Sequence, residues 1–186
     1  VQDTKTRLLR EAEVIVRAKG YSGFSYADLE AAVGIRKASI HHHFKTKENL
    51  VSALVDEYDR RYDDELSRII AENRSAIEKI DAYGRLYVQG LQDDLGCLCA
   101  VLAIELHALP VSLTNKLSLF FDKHIAWIEA VIEDGLARGE IRPSVQAASY
   151  ARMTVAALEG ALLMERVLQG VVGFEATLDA IRKGLG

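Results

Sequence analysis

From Lys47 to Asn73 the chain runs without a glycine or a proline, while Leu50, Leu54, Tyr58, Leu66 and Ile70 recur at helical spacing. A stretch of this kind can only be a long, unbroken helix, with Thr46 placed to cap it, and it behaves as a rod. Everything before it must fold as a short unit of about 46 residues, and everything after it has to pack along or beyond it. The only two prolines and the regular apolar periodicity elsewhere require no strands, repeats or low-complexity tracts.

The 46 residues before the rod read as three helices. Leu8, Ala12, Ile15 and Val16 define the first, which Gly20 should end. Ser25 with Asp28 three residues on is a relative of the capping box and starts a short second helix that stops at Gly34. After a turn of a few residues, "IRKASIHHHF" forms the third, with Ile35, Ile40 and Phe44 facing inward; this is the connection of a helix-turn-helix. Its outward corners are Arg36, Lys37, Ser39, His41, His42 and His43, all able to donate hydrogen bonds to phosphates or base edges, which suits a helix lying in the major groove of DNA. Consecutive histidines on a helix point about 100° apart, so they do not converge on a metal ion, and no metal site is expected.

Charge supports this placement. The net charge of −4 divides unevenly: residues 1 to 50 hold 9 Lys/Arg against 6 Asp/Glu, a net of +3, and the remainder is net −7. A basic head on an acidic body points to an anionic partner at one end only.

Taken together, Gly20, Tyr21, Ser25, Asp28, Leu29, Ala32, Gly34, Ile35, Lys37, Ser39, Ile40, His42, Phe44, Lys47, Glu48 and Leu50 make the first 50 residues resemble the N-terminal region of the TetR/AcrR family of bacterial transcriptional regulators. The departures are Arg36, where serine or threonine is common, Ala38, often glycine, and His41, often tyrosine; they bear on base specificity rather than on fold. Arg36 either makes a bidentate contact to guanine or clamps a phosphate. The resemblance adds Ser25, Tyr26 and Lys47 to the DNA-contacting candidates. It implies an all-α protein of about nine helices: a helix-turn-helix domain over 1–46 and a helical ligand-binding and dimerisation domain over 47–186.

Beyond the rod, helices are expected at about 76–91, 97–109, 113–138, 144–169 and 174–184. Tyr83, Tyr87, Cys97, Glu105, His107, Phe120, His124, Trp127, Arg152 and Glu159 are polar or aromatic groups on apolar helices, the composition of a small-molecule pocket. Each taken singly also fits ordinary packing. Cys97 follows Gly96 at an expected helix start, where a dipole favours thiolate and a thiol-redox sensor on the same DNA-binding frame becomes conceivable; the role of a small buried residue is the expected one. Cys97 and Cys99 lie two apart, point to nearly opposite sides, and are not expected to pair.

Residues 144–169 are apolar around most of the helix, so a partner surface is expected, with the final helix alongside. Ala157, Gly160, Ala161, Met164, Leu178 and Ile181 are the candidate contacts of a homodimer. Charges along the same stretch argue against a membrane span. With no secretory pattern at the start and only two cysteines, the expected compartment is the cytoplasm. A helical enzyme using His107 or His124 with Glu105 is a further alternative, but no nucleophile elbow, phosphate loop or His-Glu-x-x-His is present, so neither an enzyme nor a cofactor is expected. The expected partners are a palindromic double-stranded DNA operator and a small effector that releases the protein, acting as a repressor, from it.

Overall fold

The computed structural model describes residues 4–72 and 74–186. These form α1 (Thr4–Gly23), α2 (Tyr26–Val33), α3 (Lys37–His43), α4 (Lys47–Ala71), α5 (Ala76–Arg85), α6 (Val88–Gln92), α7 (Leu98–Ile104), a 3-10 turn (Leu106–Ala108), α8 (Val111–Ala137), α9 (Ala147–Glu165) and α10 (Val171–Leu185). No strand occurs among the described residues. The chain divides into two compact units, one holding the residues up to Arg61 with Leu98–Leu119, the other Tyr62–Cys97 with Phe120–Gly186.

In the first unit, local chemistry sets each boundary. Gly20 interrupts α1 with φ 75° and ψ −179°, a conformation open to glycine because it lacks a Cβ. Ser25 and Asp28 form a reciprocal capping box at the start of α2. Gly34 ends α2 in the left-handed region at φ 72°, donating its N–H to the Glu30 carbonyl. Three residues then lead into α3. Thr46 caps α4, its hydroxyl accepting from the Asn49 N–H at 3.1 Å. Leu8, Ala12, Leu29, Ile40, Leu50 and Leu54 are fully buried and Phe44 nearly so, so α1, α2, α3 and the start of α4 share one small core.

α4 runs without interruption to Ala71, its residues to Arg61 belonging to the first unit and those from Tyr62 to the second. The helix end expected at Asn73 falls outside the described residues. On its inward stripe Ile69 is buried and Ile70 is 47% exposed, so the face drifts by one position from the expected register.

The second unit is built on α5, α6, α9, α10 and most of α8. A second capping box, Ser75 with Glu78, opens α5. The single helix expected over 76–91 divides into α5 and α6, because the Leu86 and Tyr87 N–H groups bond to carbonyls three residues back rather than four, tightening the turn between them. α9 and α10 form an antiparallel hairpin: the Tyr150 hydroxyl donates to the Ile181 carbonyl at 2.7 Å at one end, and the chain reverses at Gly170 at the other. No described helix is long and apolar enough to cross a membrane.

Candidate functional site

The head presents α3 as expected. Arg36, Lys37, Ser39, His41 and His42 are exposed, His43 is half-buried, and Ile40 on the opposite side is fully buried. The Arg36 side chain makes no capping bond and is left to the surface. The start of α3 is secured instead from α2, where the Glu30 carboxylate accepts the Lys37 N–H at 3.2 Å. His41 Nδ1 lies 3.2 Å from the Lys45 carbonyl. A carbonyl can only accept, so Nδ1 carries the proton and Nε2 is the ring's outward atom.

Three further candidates have structural duties. Tyr26 is buried, donates its hydroxyl to the Phe44 carbonyl at 2.9 Å, and lies 4.7 Å from the His41 ring; burial pushes its pKa up to about 12. It fastens the end of α3 to α2. The Ser25 hydroxyl is engaged with Asp28 in the capping box, and Asp28 is held down to about 2 by the Lys19 ammonium at 2.6 Å and by Ser25. Lys47 rests over the Tyr21 ring, 4.5 Å from its centroid and 5.7 Å from that of Phe24, and burial lowers its pKa. Lys45, exposed just beyond the end of α3, is a further cation outside the candidate set.

In the second unit, seven of the ten pocket candidates come together: Tyr83, Tyr87, Cys97, Phe120, His124, Trp127 and Glu159. Their polar atoms form a chain. His124 Nδ1 lies 2.9 Å from the Tyr83 hydroxyl, which lies 3.0 Å from the Tyr87 hydroxyl, which donates to Glu159 Oε1 at 3.4 Å. The Cys97 thiol lies within hydrogen-bonding range of the same carboxyl. Aromatic rings enclose the chain: Trp127 stacks on Tyr83 at 5.7 Å, and Phe120 lies 4.1 Å from the His124 ring. Tyr62 and Phe174 join them, at 5.1 Å from His124 and 6.2 Å from Tyr87. Tyr62 was readable, since it lies four residues beyond Tyr58 on the α4 stripe; Phe174 carried no signal beyond its apolarity.

Burial dominates the electrostatics of this cluster. It pushes the Glu159 carboxyl up to about 7, with Cys97 and Tyr87 pulling the other way. It holds His124 down to about 4, aided by the neighbouring Lys123 charge and opposed by Asp63. Tyr83 and Tyr87 are driven well above the usual phenol range for the same reason. His124 Nε2 and Glu159 Oε2 are buried and make no hydrogen bond with any described residue.

The remaining three pocket candidates lie elsewhere. Glu105 is in the first unit, where its carboxylate accepts the Ser22 N–H at 2.9 Å beside the break in α1. His107 is exposed on the 3-10 turn, also in the first unit. Arg152 is exposed on α9. Among the interface candidates, Ala161, Leu178 and Ile181 are buried within the protomer, Leu178 packing onto α5 at Gly84. They are therefore not surface contacts. Met164 is 54% exposed, and Ala157 and Gly160 are half-buried. The helix expected to be buried all round thus has an open side, where Met153, Leu163 and Met164 lead to Val167, Leu168 and Val172.

A helix-turn-helix head with an outward basic recognition helix, attached to a helical unit with its own polar interior, defines a DNA-binding regulator. Comparison with known proteins agrees. Residues 8–54 match the family described as bacterial regulatory proteins, tetR family, and residues 76–181 match the tetracyclin repressor-like C-terminal domain. The chain belongs to the TetR family of transcriptional regulators. A TetR-family regulator from Agrobacterium tumefaciens has the same fold with a TM-score of 0.92 at 30% identity, over 97% of this chain and 96% of that one. A TetR regulator from Legionella pneumophila has a TM-score of 0.91 at 29% identity, over 100% and 99%. The transcriptional repressor DhaR of Mycobacterium sp. (strain GP1) is 23% identical over 164 residues, 88% of this chain and 82% of its own.

Proposed function

We propose that the protein is a homodimeric repressor that binds a palindromic operator through α3 and is released by a small molecule taken up in the second unit. The outward set Arg36, Lys37, Ser39, His41 and His42 on α3, held by the buried Ile40, Phe44 and Tyr26, carries this reading. Backbone phosphates would be met by Lys37 and Lys45, and base edges by Arg36 and the imidazoles. Two such heads are needed to read a two-fold site, and the open apolar side of α9 with Val172 of α10 is the surface a second copy would cover. Selection of bound DNA from a random pool tests the reading: a recovered palindrome supports both DNA binding and dimerisation, and recovery of no preferred sequence counts against it.

A second reading has one observation in its favour. Cys97 lies beside a carboxyl that titrates near neutrality, which could accept the thiol proton when an oxidant or electrophile arrives. DNA retardation with and without oxidant, in the protein and in Cys97→Ser, separates this thiol-sensing mode from reversible ligand binding.

A further inference from the structure

The polar chain in the second unit fixes the chemistry of what can join it. The Tyr87 hydroxyl donates to Glu159, so its oxygen is left to accept from Tyr83. The Tyr83 proton is then committed to Tyr87, and its oxygen must accept from His124 Nδ1. A neutral imidazole carries one ring proton, and His124 is kept neutral by its burial, at 1% exposure. Nε2 is therefore a bare acceptor. At the other end, Glu159 Oε2 is also an acceptor whenever the carboxyl is ionised. Both ends of the chain are buried, both lack a hydrogen-bond partner among the described residues, and both call for a donor.

A ligand that accepts at these points would set lone pair against lone pair. A carboxylate would add like charge to Glu159 and is disfavoured twice over. A cation satisfies Glu159 best, since the groups that reach this carboxyl among the described residues are the Tyr87 hydroxyl and the Cys97 thiol, neither of them a cation. The surrounding rings suit the same partner: the faces of Trp127, Phe120 and Tyr62 are electron-rich and attract positive charge.

We infer that the second unit recognises an organic cation with hydrogen-bond donors, an amine or amidinium on an aromatic-sized body, which donates to Glu159 Oε2 and to His124 Nε2. The inference rests on the small-molecule reading above and names the class of molecule.

The single tryptophan, Trp127, stacks on Tyr83 within the chain and so reports on it directly. Three probes of one shape differ only in what they offer: benzamidine is a cationic donor, benzamide is neutral and benzoate is an anionic acceptor. Tryptophan fluorescence titrated with each should saturate for benzamidine at a concentration about tenfold or more below that for benzamide, and should not saturate for benzoate. Glu159→Gln keeps an acceptor for Tyr87 and removes the charge, and should bring benzamidine and benzamide to within about threefold of each other. Benzamide or benzoate binding as tightly as benzamidine overturns the cation class while leaving a small-molecule site in place. Preference for benzamidine surviving in Glu159→Gln, or no saturation by any of the three, overturns the assignment to this chain. The broader reading is judged separately, by adding a protein-free cell extract to the complex with selected DNA: release there by an anionic fraction would keep the ligand-responsive repressor and discard the cation.

Discussion

The Glu105 carboxylate occupies the space that a side chain at position 20 would need: a Cβ on Gly20 would collide with Oε1. Gly20 is doubly constrained, by this contact and by its φ of 75°. Gly20→Ala should therefore lose roughly 1 to 2 kcal/mol from the left-handed backbone alone, and more from displacing Glu105, which also releases the Ser22 N–H. Combining it with Glu105→Ala should recover part of that loss, because the collision is removed. Urea denaturation of the two single variants and the double variant measures the coupling, and strictly additive losses would show that the two residues do not meet in solution.

Lys47 and Arg36 should separate by their effects on folding. Lys47 lies on the Tyr21 and Phe24 rings, so Lys47→Ala is expected to lower stability by about 0.5 to 1 kcal/mol as well as weaken operator binding. Arg36 makes no capping bond and is exposed, so Arg36→Ala should leave the melting temperature unchanged. It should cost about 1 to 3 kcal/mol at one base pair if it reads guanine, or reduce the salt slope by about one if it holds phosphate. Thermal melts with binding measured at several salt concentrations distinguish these outcomes.

Leu178 and Ile181 are core residues, and a charge placed there would unfold the protomer rather than split a dimer. Met164 is exposed in the apolar strip, so Met164→Lys should give a folded protein that sediments as a monomer and binds selected palindromic DNA weakly. A wild-type protein already monomeric at micromolar concentration would remove this strip from consideration.

Most of the fold was legible because its boundaries rest on local chemistry: the Ser25–Asp28 box, the left-handed Gly34, the Thr46 cap and the glycine-free rod are each specified within a few residues. The split of 76–91 was not legible, since nothing in that stretch reveals that the bonds at Leu86 and Tyr87 shorten by one residue. The candidate site was half legible. Tyr83 and Tyr87, four apart on one helical face, announce a pair, and Glu159 on an apolar helix invites a partner. Glu105 and His107 read the same way by composition, yet they belong to the segment that joins the head. Which unit a helix packs in depends on long-range contacts that periodicity does not encode. The same limit explains Leu178 and Ile181, since an apolar stripe shows that a face is covered but not by what.

The pH dependence of stability should show two buried groups acting in opposition. Glu159 has a folded pKa of about 7, above its ordinary value of 4.5, so its contribution is fully present below about pH 4.5 and is lost as pH rises through 7. His124 has a folded pKa of about 4, below its ordinary 6.5, so its contribution is present above about pH 6.5 and is lost as pH falls through 4. Each shift is on the order of 3 to 4 kcal/mol when converted at about 1.4 kcal/mol per unit. The groups facing Glu159 are the Tyr87 hydroxyl and the Cys97 thiol; those acting on His124 are Tyr83 and Tyr62, with the Lys123 and Asp63 charges. Between pH 4.5 and 7 the two trends largely cancel in the wild type. Glu159→Gln should remove the loss on the alkaline side, making the variant more stable than the wild type at pH 8 and leaving the acid-side loss from His124 exposed. His124→Gln should do the reverse, with stability falling from pH 5 through 7 and levelling off towards pH 8. Denaturation midpoints of the three proteins across this range decide the matter, and parallel curves for wild type and Glu159→Gln would mean that the carboxyl is solvated and ionised throughout, in which case it already has water as its donor and the cation it is expected to recruit has less to gain.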